Sequence, residues 1–179
     1  ASKSHTIRAV AIGSLAEGIS SVRNPLSSAD TLAAVEAGRA FGADIRAEDD
    51  WVITGVGGKP TAPDNIIDVG NSGTTLYIAM TMAALVDGWT VFTGDHQTRS
   101  RPAGPLLDAL TSLGAEAFST RGDGRPPLVI RGPLKGEHLI EVPHDELAFA
   151  TWKREQPSGR VLRPDPAVLE AKRYAPANW

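Results

Sequence analysis

The sequence has no cysteine, so it forms no disulfide and offers no thiolate to a metal. Chains without disulfides are the norm in reducing compartments, and a cytoplasmic location is the expectation. No apolar run approaches the ~18 residues that a membrane-spanning helix requires, so no membrane partner is expected. The first residues lack the basic-then-apolar pattern of a secretory signal. Positive charge is not in excess either: 18 Lys and Arg stand against 21 Asp and Glu, a net charge of −3 at pH 7. Nucleic-acid recognition needs a basic face, so no nucleic-acid partner is expected and any anion site must be local. What is present is 179 residues, 41% hydrophobic and 22% charged, enough chain for one globular domain with a real core.

The pattern repeats itself. Leu15-Ala16-Glu17-Gly18 and Leu85-Val86-Asp87-Gly88 each end an apolar stretch. Gly42-Ala43 and Gly114-Ala115 each end a second helical pattern, and Trp51–Gly55 and Leu128–Gly132 read as matching strands. In the first unit, 1–58, apolar residues at 7, 10, 11, 12 and 15 predict a helix over Ser4–Glu17, stopped by a left-handed Gly18. A strand at 19–24 follows, then a helix over Thr31–Phe41 with Asp30 as N-cap, then a strand pair ending in Trp51–Val56. The second unit, 64–136, predicts a strand at 65–69, a helix over Thr74–Val86 and a strand at 90–94. A helix over Pro105–Leu113 and a closing hairpin complete it. Strands alternating with helices make the class α/β. Beyond Gly136 the period fades: 139–142 could begin a third unit and 145–155 supply its helix, with 144–179 otherwise divergent and irregular.

Three stretches carry chemistry. A helix N-terminus presents unpaired N–H groups and about half a positive charge, and so attracts phosphate or carboxylate. Ser2, Lys3 and Ser4 stand at the first helix start, and Arg8 follows Ser4 on the same helix face. At the second, Gly70-Asn71-Ser72-Gly73-Thr74-Thr75 leads from strand to helix, its glycines admitting a ligand close to the backbone. The third is the loop Gly94–Pro102, where Arg99 and Arg101 precede a helix and no acid stands beside them to pair. Taken one at a time, the first motif is equally a capping signal, the second a strand-to-helix turn and the third a solvated loop.

In this order, the stretches from Ser2 to Thr31, Gly70 to Leu76, Thr93 to Ala115 and Pro126 to Gly136 resemble the 5-enolpyruvylshikimate-3-phosphate synthase family. The resemblance covers roughly residues 2–140. It implies transfer of an enolpyruvyl group from phosphoenolpyruvate to shikimate 3-phosphate, in the pathway to aromatic amino acids, with neither metal nor cofactor. It implies repeated βαβαββ units, as in one domain of an inside-out α/β barrel, here incomplete. Carried over, Lys3 is the catalytic residue and contacts both substrates, while Ser4 and Arg8 hold shikimate 3-phosphate. Asn71 and Gly73 line the pocket for phosphoenolpyruvate and glyphosate, Gly73 and Thr74 bear on glyphosate sensitivity, and Arg101 pairs with the phosphoenolpyruvate anion. These residues are expected to converge on one cleft.

Three departures shape the expectation. The family's first strand precedes its S-K-S motif, whereas this chain begins on it. Tyr77 stands where family members commonly carry an arginine. The family's S-S-Q motif is absent after Lys135-Gly136, as is the second domain with its catalytic carboxylates. Residues 1–143 are therefore expected to form a partial domain, 144–179 to be irregular, and turnover to be impaired or to require a completing C-terminal-half chain or self-association. The alternative is a non-catalytic fragment that binds shikimate 3-phosphate.

Overall fold

The computed structural model describes residues 2–135, together with the backbone of 139–140 and 152–153. The first repeat runs α1 (Lys3–Leu15), β1 (Ile19–Val22), α2 (Ala29–Ala40), β2 (Asp44–Ala47) and β3 (Trp51–Thr54). The second runs β4 (Ile67–Asp68), α3 (Gly73–Ala83), β5 (Trp89–Thr93), a 3-10 turn at Thr98–Ser100, α4 (Gly104–Ser112), β6 (Glu116–Ser119) and β7 (Leu128–Arg131). Each forms an antiparallel sheet with its last strand in the middle, in the orders β1-β3-β2 and β5-β7-β6. The second sheet gains β4, parallel on the outer edge of β5. The duplication read from sequence is a duplication of topology.

Strand alternation divides each sheet into a helix-facing and a solvent-facing side. Trp51 and Ile53 are buried on β3 and Leu128 and Ile130 on β7, while Trp89 and Phe118 are exposed, packed edge to face. Helices α1, α2 and α3 pack on one another inside the two sheets. One core cluster gathers Ile7, Val10, Val35, Ile45, Trp51 and Ile53 of the first repeat. The other gathers Leu76, Met80, Phe92, Leu128 and Ile130 of the second, and it also takes Ala37 and Phe41 from α2. Because α2 serves both clusters, the two repeats share one interior.

The helix ends differ from expectation in instructive ways. The second helix is capped by Ser28, not Asp30: Ser28 Oγ accepts from Thr31 N–H and Thr31 Oγ1 accepts from Ser28 N–H at 2.9 Å, a reciprocal capping box. Asp30 is left in the first turn with its carboxylate unspent. Helix α1 stops at Leu15, before Gly18, because its last carbonyls are taken by another segment. Val56, Gly57 and Gly58 donate to Ser14, Ala16 and Leu15 at 2.8–2.9 Å. Helix α3 likewise begins at Gly73 and ends at Ala83, with Leu134 donating to Ala84 at 3.0 Å. Helix α4 opens at Gly104 and ends at Ser112. Gly42 and Gly114 are left-handed, at φ 98° and 92°, and stop the second helix of each repeat as the sequence implied.

Trp152–Lys153 is a two-residue strand paired antiparallel with Leu139–Ile140, so a helix through 145–155 does not form across those positions. The remaining expectations for 144–179 lie outside the described residues.

Candidate functional site

Lys3 occupies the first turn of α1, where no acidic residue is present to match the positive end of the helix dipole. Ser2 sits at the N-cap without any side-chain capping bond, so the capping alternative for Ser2-Lys3-Ser4 is not realised. The Lys3 ammonium instead reaches α2 and pairs with Asp30 Oδ2 at 3.0 Å. Arg8 folds back along α1, its guanidinium donating to the Ser4 carbonyl oxygen at 3.1 Å, as the backward tilt of helical side chains favours.

The path continues from α2 to α3. Thr75 Oγ1 donates to the Asp30 carbonyl oxygen at 3.2 Å and accepts from Ser72 Oγ at 2.7 Å. Ser72 is the N-cap of α3, its hydroxyl accepting from Thr75 N–H. Asn71, just outside the helix, donates from its side-chain amide to Gln97 Oε1 at 2.9 Å. Gly73 opens α3 and lies directly beneath Arg101: a β-carbon built there would fall 2.9 Å from Arg101 Cζ. Thr74 follows, half-buried. Hydrogen bonds thus link Lys3 through Asp30 and Thr75 to Ser72, and the next residue in the chain, Gly73, lies against Arg101. Ser4 and Arg8 stand at the same end of α1 as Lys3.

The loop carrying Arg101 is built on β5 and pinned to the turn before α3. Asp95 N–H donates to the Gly70 carbonyl oxygen at 2.9 Å, and Asp95 Oδ1 accepts from Thr98 N–H at 2.8 Å. Arg99, though exposed, folds back onto the Gly94 carbonyl oxygen, which leaves Arg101 as the arginine of the pair that faces α3. The Thr98 N–H, ahead of smaller contributions from His96 and the Gln97 N–H, holds the Asp95 carboxyl below its ordinary 3.8.

The ionised carboxylate is therefore the form that orders the loop. Its contribution is complete above about pH 4 and fades as the pH falls through the lowered value. Asp95→Asn should unfold at lower urea than the wild type near neutrality, and the gap should narrow as the pH falls below 3.8. A gap that stays constant with pH would remove this role from the carboxylate.

Sequence reasoning gave Asp30 only as a cap, Thr75 only as part of a motif and Tyr77 only as a departure, and it missed Gln97. For Asp30 the signal was there, since Ser28-x-x-Thr31 is a complete capping pair and frees the next acid from capping. The others required knowing which loop meets which helix. A groove of about 340 Å³ between α2 and residues 63–68 is lined by Glu36, Arg39, Asp64 and Asp68 and holds none of the candidate residues. Of the candidates, Lys3, Ser4, Arg8, Asn71 and Arg101 are exposed, Thr74 is half-buried and Gly73 is buried. Among the described residues no group of three or more His, Asp or Glu has the arrangement of a metal site.

A model of the family described as EPSP synthase (3-phosphoshikimate 1-carboxyvinyltransferase) matches residues 1–143. Over 136 residues the chain is 60% identical to the 3-phosphoshikimate 1-carboxyvinyltransferase of Acetivibrio thermocellus, covering 75% of this chain and 32% of that protein. The protein of the same name from Methanocella arvoryzae is 57% identical over 139 residues, 77% of this chain and 33% of its own. Among solved structures, EPSP synthase from Acinetobacter baumannii superposes with a TM-score of 0.70 at 33% identity, over 75% of this chain and 32% of that one. The chain spans about a third of the length of the curated relatives it matches.

Proposed function

This chain belongs to the EPSP synthase family, and we propose that its three helix starts are one wall of a cleft where enolpyruvyl passes from phosphoenolpyruvate to shikimate 3-phosphate. The observation that carries this reading is the contact path from Lys3 to Arg101, which gathers cations and hydroxyls at the ends of three helices. In this reading Ser4 and Arg8 hold the phosphate of shikimate 3-phosphate. Asn71 and Gly73 border phosphoenolpyruvate or glyphosate, Thr74 tunes the response to glyphosate, and Arg101 takes the phosphoenolpyruvate anion.

Lys3 contacts both substrates and is the candidate for proton transfer. Its ammonium is paired with Asp30, but its side chain is 52% exposed, and such pairs contribute only about 0.2–1 kcal/mol. A charge-assisted bond to a phosphate, worth about 1.5–3 kcal/mol, outweighs it, so the pair opens when substrate arrives.

Transfer needs a proton delivered to the methylene carbon and one removed from the attacking hydroxyl. No carboxylate of residues 1–140 stands in a family catalytic position, and the chain spans only a third of its relatives. The second reading, a module that binds shikimate 3-phosphate without turnover, rests on that fact. In the catalytic reading a completing chain or self-association, in the cytoplasm, would supply the facing wall and exclude water.

Titration calorimetry with shikimate 3-phosphate, beside a phosphate-release assay with both substrates, tests the proposal. Weak binding is expected, weakened about tenfold further by Arg8→Ala, and turnover far below about 10 per second. Binding that ignores Arg8→Ala would remove the phosphate role of the first helix. Turnover of ordinary size by a monomer would show that no completing wall is needed.

A further inference from the structure

Tyr77 lies one turn beyond Gly73 on α3, on the same side of the helix, at the position where the family resemblance implies an arginine. Its ring packs against the second core cluster, and its hydroxyl donates to the Pro102 carbonyl oxygen at 2.9 Å. Pro102 has no N–H, so this carbonyl is its one backbone polar group. The tethers on either side lead away from α3: Arg101 N–H donates to Thr98 at 3.0 Å, and Ala103 N–H donates to Gly124 at 2.7 Å. Among the described residues, the Tyr77 bond is the one hydrogen bond joining α3 to residues 98–103.

We infer that Tyr77 is a positioning residue for Arg101. By holding the Pro102 carbonyl against α3 it fixes the Cα of the preceding residue, and so keeps the guanidinium over Gly73 at the helix start. Where an arginine would add a second cation to the surface, the tyrosine adds none and orients the one already present. The phenol is suited to this because its apolar body stays in the core while the single oxygen reaches the loop. The inference rests on the reading of Arg101 as an anion contact, and it makes the anion affinity of this surface depend on a hydroxyl that never touches the ligand.

Tyr77→Phe removes that oxygen and keeps the ring, so the fold is expected to persist with its melting temperature lowered by about 5 °C or less. Exchange of the Arg101 amide hydrogen should quicken about fivefold, the size of one neutral hydrogen bond. Affinity for phosphoenolpyruvate, titrated with shikimate 3-phosphate present, should fall by about the same factor in the wild-type background and not at all in an Arg101→Ala background. Unchanged exchange at Arg101 would overturn the inference. So would an equal loss of affinity in both backgrounds, since Tyr77 would then act on the ligand itself. If the wild type binds no phosphoenolpyruvate but exchange still quickens, the positioning of the loop stands and the anion role of Arg101 fails.

Discussion

Alanine in place of Gly55 is expected to cost the fold about 3 kcal/mol, although it adds only a methyl group. A β-carbon there would run into the carbonyl oxygens of Gly13 and Ala16, which are backbone atoms of the α1 terminus and cannot swing aside. Moving them would also break the bonds by which Val56, Gly57 and Gly58 satisfy the last carbonyls of α1. An unsatisfied buried carbonyl adds about 1 kcal/mol or more to the penalty. Gly132 stands in the same relation to Ala84 and Val86 in the second repeat, so Gly132→Ala should behave alike. Gly104→Ala is the control: nothing lies within 4 Å of a β-carbon at that helix start, and its effect should stay within about 1 kcal/mol of neutral. Urea unfolding of the three variants decides the matter. A Gly55→Ala midpoint indistinguishable from that of Gly104→Ala would show that the loop yields, and that the close approach is not what requires glycine.

Gly73→Ala should have the opposite profile, with little change in stability and a large loss of anion affinity. Here the atoms in the way are Cζ at 2.9 Å and Cδ at 3.2 Å of Arg101, parts of a flexible side chain rather than of the backbone. The arginine can rotate out at a cost below about 1 kcal/mol, but the guanidinium then no longer covers the start of α3. If it holds the phosphoenolpyruvate anion, one charge-assisted contact is lost, which is about a ten- to hundredfold change in dissociation constant. Calorimetry with phosphoenolpyruvate and saturating shikimate 3-phosphate should give the same loss for Gly73→Ala, Arg101→Ala and the double variant, because all three remove one contact. Additive losses would mean that the glycine serves the ligand by some route other than Arg101.

The two glycines have similar contact geometry and opposite consequences, and only the identity of the neighbouring atom separates them. That neighbour is about 40 residues away in one case and nearly 30 in the other. No local pattern names it. Much else was local and was legible. The alternation in Trp51–Thr54 and Leu128–Arg131, the left-handed stops at Gly42 and Gly114 and the duplication itself depend on side-chain period and turn chemistry within a few residues. Helix boundaries were less so. Asp30 reads as an N-cap when taken alone and becomes the partner of Lys3 once Ser28 and Thr31 are seen to cap each other. Helix α1 reads as running to a glycine stop, yet it ends at Leu15 because a loop from beyond β3 takes its carbonyls.

The candidate site divides the same way. Hydroxyls, glycines and cations at helix starts form a pattern along the chain, and the family resemblance which that pattern carries singled out Lys3, Ser4, Arg8, Asn71, Gly73 and Arg101. That Arg99 folds back onto Gly94 while Arg101 covers Gly73, that Gln97 meets Asn71, and that Tyr77 holds Pro102 was decided only when β5 set the 94–103 loop beside α3. Sequence determines what each segment can offer, since propensity, capping and charge are properties of neighbours in the chain. Tertiary structure decides which offers are taken up. A hydrogen bond or a steric limit acts over about 3 Å, and at that range the deciding partner can come from any part of the chain.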